Sequence, residues 1–329
     1  MTGQEAVELI RQEAWTGRKP GLSRTRELLK RVGNPHQKLK YVHITGTNGK
    51  GSTAAMVASV LDQAGLTVGL YTSPHLWRFH ERFQVNGVPI PDDTLGRIAE
   101  RVIQAGKGME DPATEFELMT VVGMLYFLEA GCDIVVLEVG LGGRMDSTNV
   151  IPAPEVAVIT NIGLEHTREL GDTLAQIATE KSGILKSGCD AVLYHQSGEV
   201  EEVILAACRH QGIPLTLTNP EGLRVLESGR DGQTFTYRDR VHSTFHFWAA
   251  INSIMLPQPW KWRLHWCGEA GRFQRKLCDK GCGRQFGRPA WNWLAGIRTC
   301  SWTGDITPSV WALSGVPWRN CTQTGRSSS

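Results

Sequence analysis

Residues 46–53 read "GTNGKGST". They lie between an apolar run, "YVHITG" at 41–46, and a helical pattern, "STAAMVASVLDQAG", that begins at residue 52. A strand that runs into a glycine loop and then a helix is the usual setting of a phosphate-binding turn. The spacing departs from the common G-x-x-x-x-G-K-[ST] pattern, because Gly46 and Gly49 are three residues apart and a further glycine separates the lysine from the serine. A tight turn without a ligand is the alternative, but a lysine and a serine in this order favour nucleotide binding.

The variant loop predicts specific phosphate contacts. Its glycines let backbone N–H groups and the helix N-terminus approach an anion closely. Lys50 would neutralise the outer phosphates, and the Ser52 hydroxyl could bind Mg²⁺. We therefore predict nucleotide contacts along the whole loop, at Gly46, Thr47, Asn48, Gly49, Lys50, Gly51, Ser52 and Thr53.

Outside the loop, the first 240 residues alternate between apolar runs and helical patterns. The runs "DIVVLEVG", "EVAVITNIG" and "AVLYHQ" are nearly continuous, as in parallel strands that are buried on both faces. The segment "TEFELMTVVGMLYFLEAG" opens with a capping box, Thr114 and Glu117, and ends at Gly131. The sequence predicts an α/β fold, with a parallel sheet that carries the phosphate loop and is flanked by helices.

Three further polar residues stand at predicted strand ends, where parallel sheets bind ligands: Ser73, Glu138 and His166. An unpaired carboxylate at the end of a buried strand is costly, and either a metal or a salt bridge to Arg144 would remove that cost for Glu138. A lone histidine is more often a surface or core residue than a ligand. Lys181 lies on a predicted helix, where a solvated charge is the default.

Composition places the chain among soluble proteins. No secretory signal is evident, and no apolar run approaches the roughly 18 residues that cross a bilayer. The eight cysteines follow no disulfide framework, which fits a reducing compartment. We predict a cytoplasmic, monomeric protein that contacts neither membrane nor nucleic acid.

The chain changes character near Val241. Residues 1–240 carry about six excess negative charges, whereas residues 241–329 carry about eight excess positive ones. Nine of the eleven tryptophans and five of the eight cysteines also follow residue 240. A zinc site around "CDKGCGR" or a surface for single-stranded nucleic acid could be considered, but no matching second cysteine pair follows and the segment shows no periodicity.

The motifs "GTNGKGS", "TSPHL" and "LEVGLGGRMDSTN", in this order, closely resemble the folylpolyglutamate synthase/dihydrofolate synthase branch of the Mur ligases. The resemblance extends from residue 18 to about 240. It implies a Mur-ligase-type central domain over residues 1–245, with ATP and Mg²⁺ as cofactors. It also implies the ATP-dependent joining of L-glutamate to the terminal carboxylate of a folate or of dihydropteroate, through an acyl phosphate. A muropeptide substrate is the alternative, but "TSPHL" and "ERFQVNG" resemble the folate branch.

The resemblance assigns metal ligands residue by residue. It implies that Ser52, Glu138 and His166 bind a first Mg²⁺ and that Ser73 binds a second. Lys181 matches a lysine that is carbamylated in this family, so that its new carboxylate helps to hold metal. With Lys50, these metals would stabilise the charge on the transferred phosphoryl group.

The same resemblance implies catalytic and substrate-binding residues. The catalytic set is Lys50, Glu138, His166 and Lys181. The loop from Pro74 to Asn86 resembles one that packs on the pterin ring, and the "DxTN" turn lies near the substrate. The implied substrate contacts are Ser73, Pro74, His75, Asp146 and Asn149. One departure is Glu165, where the family more often has aspartate before the histidine.

The family's second domain carries a Gly-x-His-Gln-x-x-Asn-Ala segment and an Asp-Gly-Ala-His-Asn-Pro segment, and neither occurs in this chain. When Phe247–Arg263 is read one base earlier with allowed codons, it can become LGSHQQYNAATALEVA. The same offset over Pro289–Trp311 permits a stretch that contains DGGHNP. We predict a one-base frameshift near residues 240–247, so that residues 246–329 replace the C-terminal ligase domain and have no native fold. An inactive ATP·Mg-binding remnant is the alternative function.

Overall fold

The computed structural model describes residues 1–12, 21–196, 198–218, 223–229, 232–237 and 242–245. The expectation for residues 246–329 falls outside these ranges, and the boundary at residue 245 stays a prediction. Within them, no helix combines the length and the apolar character that crossing a membrane requires.

Eight strands form the main sheet. In chain order they are β1 (Tyr41–Thr45), β2 (Val68–Tyr71), β3 (Phe83–Val85), β4 (Val88–Pro89), β5 (Ile134–Glu138), β6 (Val156–Ile159), β7 (Asp190–Leu193) and β8 (Leu215–Leu217). Their spatial order is β4-β3-β2-β5-β1-β6-β7-β8. A separate three-stranded antiparallel sheet contains β9 (Leu223–Gly229), β10 (Gly232–Tyr237) and β11 (His242–Phe245).

Eight α-helices accompany these strands in the described part of the chain. They are α1 (Gly3–Gln12), α2 (Ser23–Arg31), α3 (Lys50–Gln63), α4 (Asp92–Gly106), α5 (Glu115–Glu129), α6 (Thr167–Leu170), α7 (Leu174–Ser182) and α8 (Gly198–Gln211). The predicted α/β fold, with a helix-flanked sheet that carries the phosphate loop, is confirmed.

In spatial order, the strands from β2 through β5, β1, β6 and β7 to β8 pair in parallel. The opposite edge of the sheet is antiparallel. Strands β2 and β3, and then β3 and β4, pair antiparallel. No sequence pattern predicts this hairpin, because β3 and β4 are only three and two residues long and show no periodicity. The hairpin follows the "TSPHL" loop and returns it to the sheet.

Strand β1 lies between β5 and β6. The strands β2 to β5 all lie on one side of β1, and the chain then crosses β1 to form β6, β7 and β8 on the other side. The carboxyl end of such a central strand is a topological switch point, where α/β sheets bind ligands. Ile44 pairs with Glu138 on β5, and Thr45 pairs with Ile159 on β6. The register therefore places the phosphate loop between the ends of β5 and β6.

Helix α5 lies in the largest apolar cluster and is buried along nearly its whole length. Its predicted capping box is present: the Glu117 N–H donates to Thr114 Oγ1 at 3.4 Å, and the Thr114 N–H donates to Glu117 Oε2 at 2.7 Å. Glu117 also accepts from Arg24 Nε, at 3.0 Å to each carboxylate oxygen. This buried ion pair fixes α2 against α5.

Candidate functional site

The phosphate loop turns tightly between β1 and α3. Gly46 has φ +148°, and a Cβ there would lie 1.7 Å from Thr160 Oγ1. That hydroxyl, which has a single proton to donate, lies 3.1 Å from the Thr45 carbonyl oxygen and 2.9 Å from the Asn48 carbonyl oxygen. Gly49, with φ +81°, is the N-cap residue that precedes α3. The backbone thus requires glycine at both positions. Thr160, which no sequence pattern singled out, holds the loop from the residue that follows β6.

The Lys50 ammonium folds back over this loop. Its Nζ donates to the carbonyls of Gly46 at 3.0 Å and Thr47 at 3.1 Å. The Thr47 N–H in turn donates to the Asn161 carbonyl at 2.6 Å. A cation therefore lies at the mouth of the turn, beside the N-terminus of the 14-residue helix α3. This is the arrangement that attracts phosphate.

Glu138 ends β5 and is buried beside the start of α3. Its Oε2 accepts from the Ser73 N–H at 3.0 Å, and its carboxylate also accepts from the Gly51 N–H. Burial raises the pKa of Glu138 to about 7, although these bonds and the charge of Lys50 oppose the shift. A Cβ at Gly51 would lie 3.2 Å from Oε2, so glycine leaves room for the carboxylate.

Lys181 reaches the same loop from α7. Its side chain is buried, and its Nζ donates to the Gly46 carbonyl at 2.7 Å. Burial, helped by the charge of Lys50, lowers the pKa of Lys181 to about 8. The residue is therefore not the solvated charge that its helical position alone would suggest.

His166 is in the left-handed region, with φ +48°, just before α6. Its exposed ring lies 3.3 Å from Glu165 Oε1. His166 and Lys181 line one small cavity together with Thr45, Gly46, Lys50, Val139, Gly140, Leu141, Gly142 and Glu165. Across the ranges that the structure describes, no three His, Cys, Asp or Glu side chains form a group that could hold a metal.

The segment that follows β2 brings Ser73, Pro74 and His75 to the edge of this site. Ser73–Pro74 is a cis peptide bond, and His75 Nδ1 accepts from Arg82 Nε at 2.9 Å. Beyond them the side chains of Leu76 and Trp77 are 75% and 85% exposed. The Ser73 backbone contact with Glu138 joins this segment to the phosphate loop.

Glu81 organises the exposed part of that segment and was missed by the sequence analysis. Its carboxylate accepts from the N–H groups of Leu76 at 2.9 Å, Trp77 at 3.1 Å and Arg78 at 2.9 Å. Three backbone donors on one carboxylate hold the turn in a single conformation. The only sequence signal is the acidic residue three positions after Arg78.

Asp146 and Asn149 are buried in the turn after β5. Asp146 accepts from the N–H groups of Leu141 at 2.8 Å and Thr148 at 2.9 Å, and burial raises its pKa. Asn149 Nδ2 donates to the carbonyls of Arg144 at 3.1 Å and Gly183 at 3.0 Å. The structure gives both side chains a role in shaping the turn, and their predicted substrate contacts stay predictions.

Comparison with known proteins places this architecture. The Mur ligase middle domain model matches residues 44–195. The dihydrofolate synthase/folylpolyglutamate synthase of Bacillus subtilis (strain 168) is 41% identical over 216 residues, which are 64% of this chain and 50% of that protein. The folylpolyglutamate synthase of Lacticaseibacillus casei is 41% identical over 219 residues, 65% and 51% of the two chains.

Two solved structures of folylpolyglutamate synthases have the same fold over most of this chain. An AMPPCP complex of a folylpolyglutamate synthase superposes with a TM-score of 0.75 at 32% identity and covers 92% of this chain and 72% of its own. The apo form of the L. casei enzyme gives a TM-score of 0.75 at 32% identity, with 91% and 72% covered. The chain spans about half the length of the curated relatives it matches. It belongs to the folylpolyglutamate synthase/dihydrofolate synthase family of Mur ligases.

Proposed function

We propose that this chain contains the ATP site of a ligase that joins L-glutamate to the terminal carboxylate of a folate, of dihydropteroate, or of both. The observation that carries the proposal is the convergence of the phosphate loop, Glu138 and Lys181. Lys181 Nζ contacts the Gly46 carbonyl at 2.7 Å, and Glu138 accepts from the N–H groups of Gly51 and Ser73. Family membership adds the reaction class.

The proposed reaction has two steps. A carboxylate oxygen of the acid attacks the γ-phosphorus of ATP, which forms an acyl phosphate and releases ADP. The amine of L-glutamate then attacks the acyl carbon, the C–O bond to phosphate breaks, and the nitrogen loses a proton to leave an amide. Lys50 and the N-terminus of α3 would hold the phosphates and offset the charge that develops on the transferred group.

Mg²⁺ is part of the proposal, and the donor set fits it. Glu138 is a buried carboxylate whose pKa is raised to about 7 by desolvation, and a cation beside it would favour the ionised form. Magnesium sites commonly use one or two carboxylates, with phosphate and water oxygens completing the shell. We propose Glu138, Ser52 and His166 as ligands of a first ion and Ser73 as a ligand of a second, which together would polarise the transferred phosphoryl group.

Lys181 would complete this set as a carbamate. Carbon dioxide reacts with a neutral amine, and burial lowers the pKa of Lys181 to about 8, so that neutral amine is available near neutral pH. The product would carry a carboxylate in place of an ammonium, next to Gly46. Mass spectrometry of the intact chain, with and without added bicarbonate, tests for this modification.

The deciding experiment follows release of ADP from purified protein with ATP, folate or dihydropteroate, and L-glutamate. ADP release that requires all three substrates would support the ligase. We expect little or no turnover from the chain as written, because the family's C-terminal motifs are absent from its sequence. Robust turnover would contradict that expectation.

The second candidate is an inactive remnant that binds ATP·Mg. The observation that favours it is that neither C-terminal family segment occurs in the sequence. Retained binding of AMPPCP without ADP release would support the remnant. Resequencing the gene across codons 230–260 would then show whether a lost base produced the aberrant residues 246–329.

A cytoplasmic location and a monomeric state also belong to the proposal. The location is supported by cysteines that follow no disulfide framework. Neither a nucleic acid nor a membrane is proposed as a partner. Size-exclusion chromatography with light scattering and cell fractionation test these points.

A further inference from the structure

Arg82 is a buried cation that forms no direct ion pair, although Glu115 and Glu138 lie close enough for their charges to act on it. Only 8% of the residue is exposed, at the end of the short 3₁₀ helix Phe79–Arg82. Its Nε donates to His75 Nδ1 at 2.9 Å, and its guanidinium carbon lies 5.5 Å from the centroid of the Phe79 ring. Among the residues that the structure describes, no carboxylate lies within ion-pairing distance of it.

The same chain shows how a buried arginine is ordinarily satisfied. Arg24 is 6% exposed, and it donates to both oxygens of Glu117 at 3.0 Å and to Asp111 at 2.8 Å. The terminal nitrogens of Arg82 are not among the buried polar atoms that lack a hydrogen-bond partner, so they keep contact with solvent while most of the residue is buried. A guanidinium that loses much of its hydration without gaining a counter-charge costs free energy. Arg82 is therefore placed for an anion that comes from outside the chain.

A second guanidinium faces the same ring. Arg11 in α1 lies with its guanidinium carbon 6.0 Å from the Phe79 centroid. His75, which accepts from Arg82 through Nδ1, leaves its other ring nitrogen to donate. Two cations and one neutral donor thus lie around one aromatic ring, which favours a planar anion such as a carboxylate.

This cluster adjoins the candidate ATP site. The Thr72 N–H donates to the Arg82 carbonyl at 3.2 Å, and the N–H of the next residue, Ser73, donates to Glu138 Oε2 at 3.0 Å. The backbone contacts of Arg82 and Glu138 are therefore made by two consecutive residues, Thr72 and Ser73. An acid held by Arg82 would lie beside the site where we propose that phosphate is transferred.

We propose that Arg82, with Arg11 beside it, binds a carboxylate of a substrate. The inference rests on the proposed function, since that function supplies an anionic substrate for this edge of the site. Both the folate and the incoming L-glutamate carry carboxylates, and the experiment must distinguish them.

The test measures binding of folate, of L-glutamate in the presence of AMPPCP, and of AMPPCP alone, by calorimetry on the full chain and on Arg82→Gln. Because a charge-assisted pair is lost, we expect one acid to bind roughly 10- to 100-fold more weakly to the variant. AMPPCP affinity should change by less than about twofold. Loss of folate affinity would assign the site to the folate, and loss of glutamate affinity would assign it to the incoming amino acid.

Thermal unfolding separates binding from a structural role. Removing a buried cation that has no counter-charge should leave the Tm of the unliganded protein unchanged or higher. Arg78→Gln, at an exposed arginine of the same segment, is the matched control and should leave both acids unaffected. Equal acid affinities for Arg82→Gln and the parent chain would overturn the inference, as would a large loss of Tm together with loss of AMPPCP binding.

The parent chain tests the proposed function separately. If it binds AMPPCP but neither acid, the ligase assignment fails, and the carboxylate site fails with it. If it binds an acid that Arg82→Gln binds equally well, only the carboxylate site fails.

Discussion

At the scale of single residues, Gly46 carries the strictest backbone requirement in the site. Its φ of +148° lies in a region that glycine alone adopts readily, and a Cβ would lie 1.7 Å from Thr160 Oγ1. Gly65 separates these two effects, because it has φ +86° with nothing within 4 Å of a built Cβ. A substitution of Gly65 therefore measures the free-energy cost of a positive φ in the absence of a steric overlap.

We expect Gly65→Ala to lower the free energy of unfolding by about 1–2 kcal/mol and Gly46→Ala by at least about 1 kcal/mol more. Urea unfolding followed by circular dichroism measures both. Equal losses for the two variants would mean that Thr160 moves aside freely, and would remove the steric argument for glycine at position 46.

His43 predicts how stability depends on pH. The side chain is fully buried in β1, and its Nε2 lies 2.9 Å from Thr148 Oγ1. Burial, together with the charge of Lys186, lowers the pKa of His43 to about 3. Between pH 6.5 and that value the unfolded chain binds a proton that the folded chain does not, so stability falls as the pH falls.

Below the pKa of His43 in the unfolded chain, this residue lowers the free energy of unfolding by at most about 1.4 kcal/mol for each pH unit. Unfolding free energies of the parent and of His43→Gln at pH 7, 6 and 5 test this. The variant should lose less stability over this range, although His36, whose pKa burial also lowers, keeps part of the slope. Identical pH profiles would show that His43 does not carry the effect.

Lys181 and Glu138 show which features of single residues the sequence does not predict. Its residue type and its position at a strand end selected Glu138, whereas Lys181 was selected only by the family resemblance. Neither periodicity nor spacing could show that Lys181 Nζ would lie 2.7 Å from the Gly46 carbonyl. That contact depends on how α7 packs in the apolar cluster that it shares with β6 and α8, which is decided by tertiary packing.

At the scale of elements, the long apolar strands and the capped helix α5 were predictable, because burial on both faces and a capping box leave strong local patterns. The β3–β4 hairpin was not predictable, since its strands are too short to show a period of two. The ion pair that joins α2 to α5 was also not predictable from the sequence. Arg24 and Glu117 are 93 positions apart in the chain, and Glu117 already had a local role in the cap.

That bond gives a testable interaction energy. Arg24→Met or Glu117→Gln alone should each cost about 3–5 kcal/mol, because each leaves a buried polar partner uncompensated. The double variant should cost less than the sum, since no charge then remains buried. The exposed pair Arg97–Glu129, at 2.7 Å, is the matched control and should contribute about 0–1 kcal/mol.

Denaturant unfolding of the four proteins of each cycle measures these energies. A coupling energy for Arg24 and Glu117 no larger than that of the exposed pair would contradict a structural role for the buried bond. Thr114→Ala tests the cap separately, because it removes an acceptor from α5 and leaves the arginine in place.

At the scale of the whole molecule, the phosphate site has an exposed apolar rim. Leu141, Met145 and Leu164 are 39%, 47% and 64% exposed, and they lie on the loops that follow β5 and β6. A ligase that forms an acyl phosphate must exclude water from this edge, because water would hydrolyse the intermediate. The surface is therefore suited to be covered by a second domain.

The frameshift hypothesis turns this into a prediction about turnover. A gene in which one base restores the alternative frame near residues 240–247 should encode the two family segments that are absent here. The restored protein should release ADP in a folate- and glutamate-dependent way at least about 100-fold faster than the chain as written, because closure over the site positions the reactants and excludes water. The chain as written should still bind AMPPCP through the loop at 46–53.

A restored chain that folds and binds AMPPCP but gains no turnover would refute the frameshift as the cause of inactivity. Equal turnover by both chains would instead mean that residues 1–245 suffice for the reaction and that the exposed rim needs no cover.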